Sequence, residues 1–238
     1  MLHVLTNRRS VTDEIMDSPD VDELAHLQAL EGLRRINRVS RTAGRMLQPI
    51  LEFTRRSGLK RISILDVACG GGDVPIGLAL EAQNHGLHVD LTLLDRSGTA
   101  IRQAATAAAQ AGIQCRCIQT DALAESPSVK ADVVTSSLFL HHVHQPRDVI
   151  EFLRRLSSVA ERLLVISDLR RSRWGLAAAW AACRALSRSR IVHHDGPASV
   201  RAAWTVQEMS SFAQQAGLTG ARIRRCAPWR MLLVWERP

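Results

Sequence analysis

The chain predicts an α/β fold. The expected core is a doubly wound, mostly parallel seven-stranded sheet closing in an antiparallel C-terminal hairpin, with helices before it and a helical insertion near its end. Three observations predict it. From Lys60 onward, short runs rich in Val, Ile and Leu alternate with helical stretches, the rhythm of a parallel sheet covered on both faces. Asp66, Asp95, Asp121 and the pair Ser136-Ser137 fall at the carboxyl ends of successive runs, where such sheets bind ligands. After Asp168 the alternation breaks, and two closing strands follow later.

Residues 1–58 read as helices that precede the sheet and contribute to its cover. Leu24, Leu27, Leu30, Leu33 and Ile36 recur every three residues, and Met46, Ile50 and Phe53 continue a helical face. The first strand is RISILDVA, ending in glycines 70–72, and a helix follows over 74–83. VDLTLLD ends at Asp95, and a helix over 98–111 leads to IQCRCIQTD. ADVVTSS, a helix over 148–158 and ERLLVISD complete the parallel part. The main domain spans 59–238 with an insertion at about 169–204, which carries a helix from about Trp174 to Leu186. Thr205 is a helix N-cap with Glu208 as its capping-box partner. That helix stops near Gly217, and ARIRRCA with RMLLVWE form the hairpin.

The length suffices for one large domain with a full core. No run approaches the roughly 18 apolar residues of a membrane span, and the N-terminus lacks the apolar stretch of a signal peptide. A cytoplasmic enzyme is expected. Five cysteines without paired metal-type spacing read as reduced, space-filling thiols, and no metal site is expected. The net charge of +8 is uneven: from Arg154 onward, 15 arginines face five acids. Such a surface can attract nucleic acid, an anionic membrane or an acidic substrate, or can simply be solvated. No recognition module or stacking platform accompanies it, and Tyr is absent, so nucleic acid is not the expected partner. Peripheral membrane contact and oligomeric state stay open.

The string Leu65-Asp66-Val67-Ala68-Cys69-Gly70-Gly71-Gly72-Asp73 carries the chemistry. A glycine turn after a strand brings backbone close to a ligand and aims helix amides at it. A dinucleotide fingerprint begun at Gly70 and Gly72 needs a third small residue at 75, where Pro75 stands, and a P-loop needs a lysine that is missing here. An acidic strand end before close-approach backbone instead suits S-adenosylmethionine, which lacks phosphates. Asp66 is placed near its ammonium, Asp95 can accept both ribose hydroxyls, and Asp121 can accept from the adenine amine, flanked by Ala122 and Leu123.

These residues resemble the class I S-adenosylmethionine-dependent methyltransferases, whose first motif is an acidic residue followed by Gly-x-Gly-x-Gly. Ala68 stands where the first motif glycine is usual, and only slight adjustment of the loop is expected. The resemblance covers about residues 60–170 and the closing hairpin. It implies a Rossmann-like fold, S-adenosyl-L-methionine as cofactor, and a cofactor-binding set of Asp66, Ala68, Gly70, Gly72, Asp95, Arg96, Asp121, Ala122 and Ser137.

Relatives that methylate base amines carry Asn/Asp-Pro-Pro-aromatic after the fourth strand, whereas this chain has Ser136-Ser137-Leu138-Phe139. The following Leu140-His141-His142-Val143 is similar to members acting on quinones, phenols, polyketides and lipids. The implied acceptor is a small hydrophobic phenolic, quinone or polyketide molecule, methylated on O or C. A phenol with a pKa near ~10 gains from a base, and histidine is tuned for that work. His142 leads, then His141, with His193 and His194 as further candidates and Asp195 able to orient an imidazole. In such enzymes N-terminal helices and the insertion often form the substrate lid. Here Trp174, Leu176, Trp180, Leu186 and Trp204 could line an apolar pocket, while Arg170, Arg171, Arg173, Arg188 and Arg190 could meet an acidic group or lipid head groups. The strings MDSPD (16–20) and LRRINRVSR (33–41) are similar to small-molecule methyltransferases of polyketide or phenolic-lipid pathways. Two other readings remain: an RNA or protein methyltransferase using the basic C-terminal surface, and a non-catalytic protein that keeps the cofactor fold.

Overall fold

The computed structural model describes residues 9–12, 14–17, 21–227 and 229–238; residues 18–20 of the MDSPD string lie outside them. The strands are β1 (Arg61–Val67), β2 (His88–Asp95), β3 (Cys115–Gln119), β4 (Ala131–Ser137), β5 (Ala160–Leu169), β6 (Arg222–Cys226) and β7 (Arg230–Glu236). They form one sheet in the order β3-β2-β1-β4-β5-β7-β6. β1 to β5 are mutually parallel, and β7 runs antiparallel to both β5 and β6. Strand order reverses between β1 and β4, so the loops after these two strands diverge and leave a crevice at the carboxyl edge.

The helices are α1 (Glu23–Val39), α2 (Thr42–Ser57), α3 (Asp73–Asn84), α4 (Gly98–Gln110), α5 (Pro146–Val159), α6 (Arg173–Leu186), α7 (Arg190–Ala202) and α8 (Val206–Gln215). The two-residue period of the strands sends Ile62, Ile64, Leu91, Leu93 and Val165 into one core with α2, α3 and α4. Leu65, Val67, Val134, Leu164 and Ile166 enter the opposite core with α5 and α8. A third cluster roofs the crevice: Ala29 and Ile36 of α1, Leu176, Ala179 and Cys183 of α6, and Ile191, Val192 and Val200 of α7. The N-terminal helix and the insertion thus pack on each other.

The capping box forms as the sequence predicts. Thr205 Oγ1 accepts from Glu208 N at 3.2 Å, and Glu208 Oε2 accepts from Thr205 N at 2.7 Å. Three features differ from expectation. The insertion is expected to carry one helix, from about Trp174 to Leu186, yet a second helix, α7, runs through Asp195-Gly196-Pro197; burial of Ile191, Val192, Ala198 and Val200 outweighs the local cost of Gly and Pro. Leu24 and Leu27 are exposed, so only the second half of the α1 stripe packs. Trp174 and Trp180 are exposed as well, because α6 turns inward the face carrying Leu176, Ala179 and Cys183. Among the described residues no helix is long and apolar enough to cross a membrane.

Candidate active site

The glycine loop after β1 takes three left-handed residues in five positions: Ala68 (φ 58°), Gly70 (φ 53°) and Gly72 (φ 78°). Ala68 keeps the conformation of a motif glycine instead of relaxing it, and carries a steric cost on the order of 1 kcal/mol. A Cβ at Gly70 would enter open space, whereas one at Gly72 would meet Ala104 Cβ and Ile76 Cδ1 at 3.0 Å. Gly70 therefore faces the crevice, and Gly72 lets the start of α3 press against α4.

Asp95 braces this loop. Its Oδ2 accepts from Gly70 N and its Oδ1 from Ser97 N, both at 2.9 Å, which leaves a further lone pair on each oxygen. It borders a cavity of about 750 Å³ together with Ala68, Gly70, Arg96, Asp121 and Ala122. Asp121 Oδ1 accepts from Leu123 N at 2.9 Å. Arg155 Nη1 donates to the carbonyls of Ala122 and Leu123 and ties that loop to α5.

Asp66 and Ser137 stand elsewhere. Asp66 is fully buried beneath the loop and borders none of the cavities described here. Its Oδ2 accepts from Thr135 Oγ1 at 2.6 Å, and its Oδ1 has no partner. Burial, aided by the charges of Asp73 and Asp95, pushes its pKa up to about 7 against the opposing pull of the Thr135 hydrogen bond. Ser137 opens into a second cavity of about 750 Å³, which it shares with Asn37, Asp73 and the glycine loop.

The histidines sit on the 3-10 turn Leu140–His142 after β4. His141 is buried, with Nδ1 2.7 Å from Asp168 Oδ1 and Nε2 3.9 Å from Glu14 Oε1. Glu14 arrives on an N-terminal segment held at both ends. Arg9 stacks on Trp204 at 3.7 Å and donates to the carbonyls of His141, Val143, His144 and Ala202, and the Asp195 carboxylate accepts from Ile15 N and Met16 N at 3.0 Å each. Trp204 Nε1 supports the same turn by donating to Leu140 O at 3.0 Å. Glu14, Leu138, His141 and His142 form a wall shared between the Asp95 cavity and a third, apolar cavity of about 160 Å³. Leu138 borders all three cavities with φ 56°, a strained conformation of the kind found where structure over-determines a functional loop.

Of the residues expected from the sequence, Ala68, Gly70, Asp95, Arg96, Asp121, Ala122 and both histidines of the turn border one cavity, while Glu14, Leu138, Trp229 and Arg230, which the sequence does not predict, line the adjoining wall. Leu138 lies in the Ser136-Ser137-Leu138-Phe139 string, while Glu14, Trp229 and Arg230 come from segments without a motif. His193 and His194 border none of these cavities; they bond instead to Ser187 O and the Asp195 carboxylate, at 2.7 and 2.8 Å. Arg171 is not a solvated lid cation: it is buried, with Nη2 2.9 Å from Glu208 Oε1. Glu14, His141 and His142 each offer one ligand atom within 4.8 Å of the others, a spacing that could hold a metal ion and that the sequence did not suggest.

Residues 64–162 match the family described as Methyltransferase domain. An uncharacterized methyltransferase of Mycobacterium tuberculosis is 31% identical over 181 residues, spanning 74% of this chain and 87% of the relative. Among solved structures, the fold is similar to the S-adenosylmethionine-dependent methyltransferase SibL, with a TM-score of 0.64 and 21% identity; the match covers 96% of this chain and 63% of SibL. It is also similar to the plantazolicin methyltransferase BpumL in complex with S-adenosylhomocysteine and a monoazolic desmethyl analogue, with a TM-score of 0.60, 16% identity, and coverage of 91% and 98%. The chain belongs to the methyltransferase family, as a class I S-adenosylmethionine-dependent enzyme. The residues present fit that cofactor: Gly70 faces open space, and Asp95 keeps acceptor capacity toward the cavity.

Proposed function

We propose that the enzyme methylates a small hydrophobic acceptor, a phenolic, quinone or polyketide molecule, at an oxygen or acidic ring carbon that His141 deprotonates. The observation that carries this reading is the buried His141–Asp168 pair on the wall between the two cavities. Burial alone would raise the Asp168 carboxyl, but the pull of His141, its hydrogen bond and the Leu169 amide hold it below the ordinary range. An ionised carboxylate can only accept, so Nδ1 carries the ring proton and Nε2 is left as the acceptor.

On the cofactor side, Asp95 receives the ribose hydroxyls and Asp121 the adenine amine, with Ala122 and Leu123 against the ring. Arg96 and Ser137 border the flanks, and Asp66 supports the loop from beneath. When bound, S-adenosylmethionine supplies a methyl group from a sulfonium that loses its charge on transfer. The chain contributes alignment, a dry cavity and a base. The small, mostly apolar cavity supports a small ring over an RNA strand or a protein side chain.

A second reading rests on Glu14. With Nδ1 protonated, His141 Nε2 and Glu14 Oε1 are two acceptors facing each other across 3.9 Å, a gap that an acceptor hydroxyl or a divalent ion could bridge. Transfer of labelled methyl from the donor to a panel of phenols, quinones and polyketides tests the main reading. Labelling of at least one ring acceptor is expected, and labelling confined to RNA or protein overturns it.

A further inference from the structure

Arg230 opens β7 opposite Leu169 of β5 and is 1% exposed, the largest of the fully buried side chains. Its Nη2 donates to Asn37 Oδ1 at 2.7 Å and to Ser40 Oγ at 3.3 Å, both neutral groups. Its Nε and Nη1 have no partner. Among the described residues, no carboxylate stands within ion-pair distance of this guanidinium. Burial pulls its pKa down to about 10, against the more distant charges of Asp168 and Asp73. A buried cation without an anion costs several kcal/mol, and unsatisfied buried donors add to that. Such an arrangement persists where the missing anion belongs to a ligand.

The position of Arg230 indicates the ligand. It borders the 160 Å³ cavity, whose other polar lining comes from Glu14, Asn37, His141, His142, Asp195 and Ser199, with the Asp195 carboxylate already engaged by the Ile15 and Met16 amides. The rest of the lining is apolar, with Leu33, Ile36, Ala179, Ile191 and Trp229. A cavity of 160 Å³ is well below the roughly 300–1,000 Å³ of sites for drug-sized ligands, and suits a single substituted ring. Arg230 does not border the second cavity, where the glycine loop and Asp73 stand, so it belongs to the acceptor side.

We infer that the acceptor is a monocyclic carboxylate, with its carboxylate read by the Arg230 guanidinium and its methyl-accepting atom at His141. This rests on the function proposed above and specifies its substrate class. The planar fork of an arginine matches a carboxylate in two hydrogen bonds, and a matched amide could not supply the charge.

The test is a binding equilibrium, so it does not require turnover. Protein saturated with S-adenosylhomocysteine is titrated by calorimetry with 2-hydroxybenzoate and 4-hydroxybenzoate, and with the corresponding hydroxybenzamides. At least one acid is expected to bind tenfold or more tightly than its amide. In Arg230→Met the gap is expected to fall below twofold while S-adenosylhomocysteine affinity is kept. Replacing even a buried ion pair with apolar side chains of similar volume is often neutral or stabilising, and an unpaired cation has less attraction to lose, so this variant is expected to fold. A purely structural Arg230 would instead lower stability and leave the acid–amide ratio unchanged. Equal binding of acids and amides by the native protein, or no binding of either acid at millimolar concentration, overturns the inference without recourse to a variant. So does loss of S-adenosylhomocysteine binding in a folded Arg230→Met, which would assign the guanidinium to the cofactor. Methylation of neutral ring acceptors only would leave the proposed function standing and remove the carboxylate.

Discussion

His141 Nδ1 lies 2.7 Å from Asp168 Oδ1, and both side chains are buried. The pair spans neighbouring parallel strands, since β4 leads into the turn that carries His141 and Asp168 lies near the end of β5. Asp168 thereby fixes both the orientation and the tautomer of the imidazole. Asp168→Asn is expected to lower turnover by roughly 10²–10⁴-fold, the scale seen when an orienting carboxylate is neutralised, while S-adenosylhomocysteine affinity stays within about threefold. His141→Ala is expected to do the same and His142→Ala to cost less than about tenfold. Steady-state kinetics with calorimetry check this, and an Asp168→Asn enzyme with undiminished kcat would remove the pair from the mechanism.

The cluster of Glu14, His141 and His142 makes chelation informative. If His141 Nε2 is the base, protein stripped with EDTA keeps its turnover within about twofold, and added Mg²⁺, Mn²⁺ or Zn²⁺ changes little. A tenfold or greater loss that one ion restores would turn His141 from base into ligand and establish the second reading.

The residues expected on the cofactor side come from a local signal: Asp95 and Asp121 stand at the ends of consecutive strands and border one cavity with Ala68 and Gly70, whereas Asp66 of the same pattern is buried beneath the loop. Strand periodicity and the Thr205–Glu208 cap are equally local, and the structure shows both. The acceptor half is assembled from distant segments. Glu14 reaches His141 only because Asp195, about 180 residues later, binds the backbone of Ile15 and Met16. The burial of Arg230 depends on α1 crossing over β7 through Asn37. No spacing rule reports such contacts. α7 is not expected from the sequence for a different reason: Gly196 and Pro197 are poor helix formers, and tertiary burial of Ile191, Val192, Ala198 and Val200 outweighs that.

Asp95→Ala is expected to weaken S-adenosylhomocysteine binding at least about tenfold. The substitution removes the acceptor proposed for the ribose and also frees the Gly70 amide that the carboxylate now fixes. Calorimetry distinguishes the two contributions when Asp95→Asn is included, because its amide oxygen can still accept from Gly70 N. Native affinity in Asp95→Ala would exclude the ribose role.

Asp66 makes stability depend on pH in a defined direction. Its native pKa of about 7 lies well above the ordinary aspartate value, so the folded state retains a proton that the unfolded chain releases. The contribution is fully present below about pH 4 and is lost as the pH rises through 7. Asp66→Asn is therefore expected to match the parent near pH 4 and to exceed it at pH 8 by up to about 4 kcal/mol, about three pKa units at roughly 1.4 kcal/mol each. Urea unfolding at the two values measures the difference; a gap that fails to grow with pH would show that Asp66 is not held protonated.

Ala68 offers the cleanest test of the loop. Its φ of 58° costs a Cβ-bearing residue about 1–2 kcal/mol, while glycine adds about 0.5–1 kcal/mol of unfolded-state entropy. The first term outweighs the second, so Ala68→Gly is expected to stabilise the protein by about 0.5–1 kcal/mol, a rise in Tm of roughly 1–4 °C at this size. Because the loop geometry is unchanged, S-adenosylhomocysteine affinity is expected to stay within about twofold. A lowered Tm would mean that the loop relaxes around Ala68 in solution, and that the alanine has re-shaped the cofactor turn instead of being forced into it.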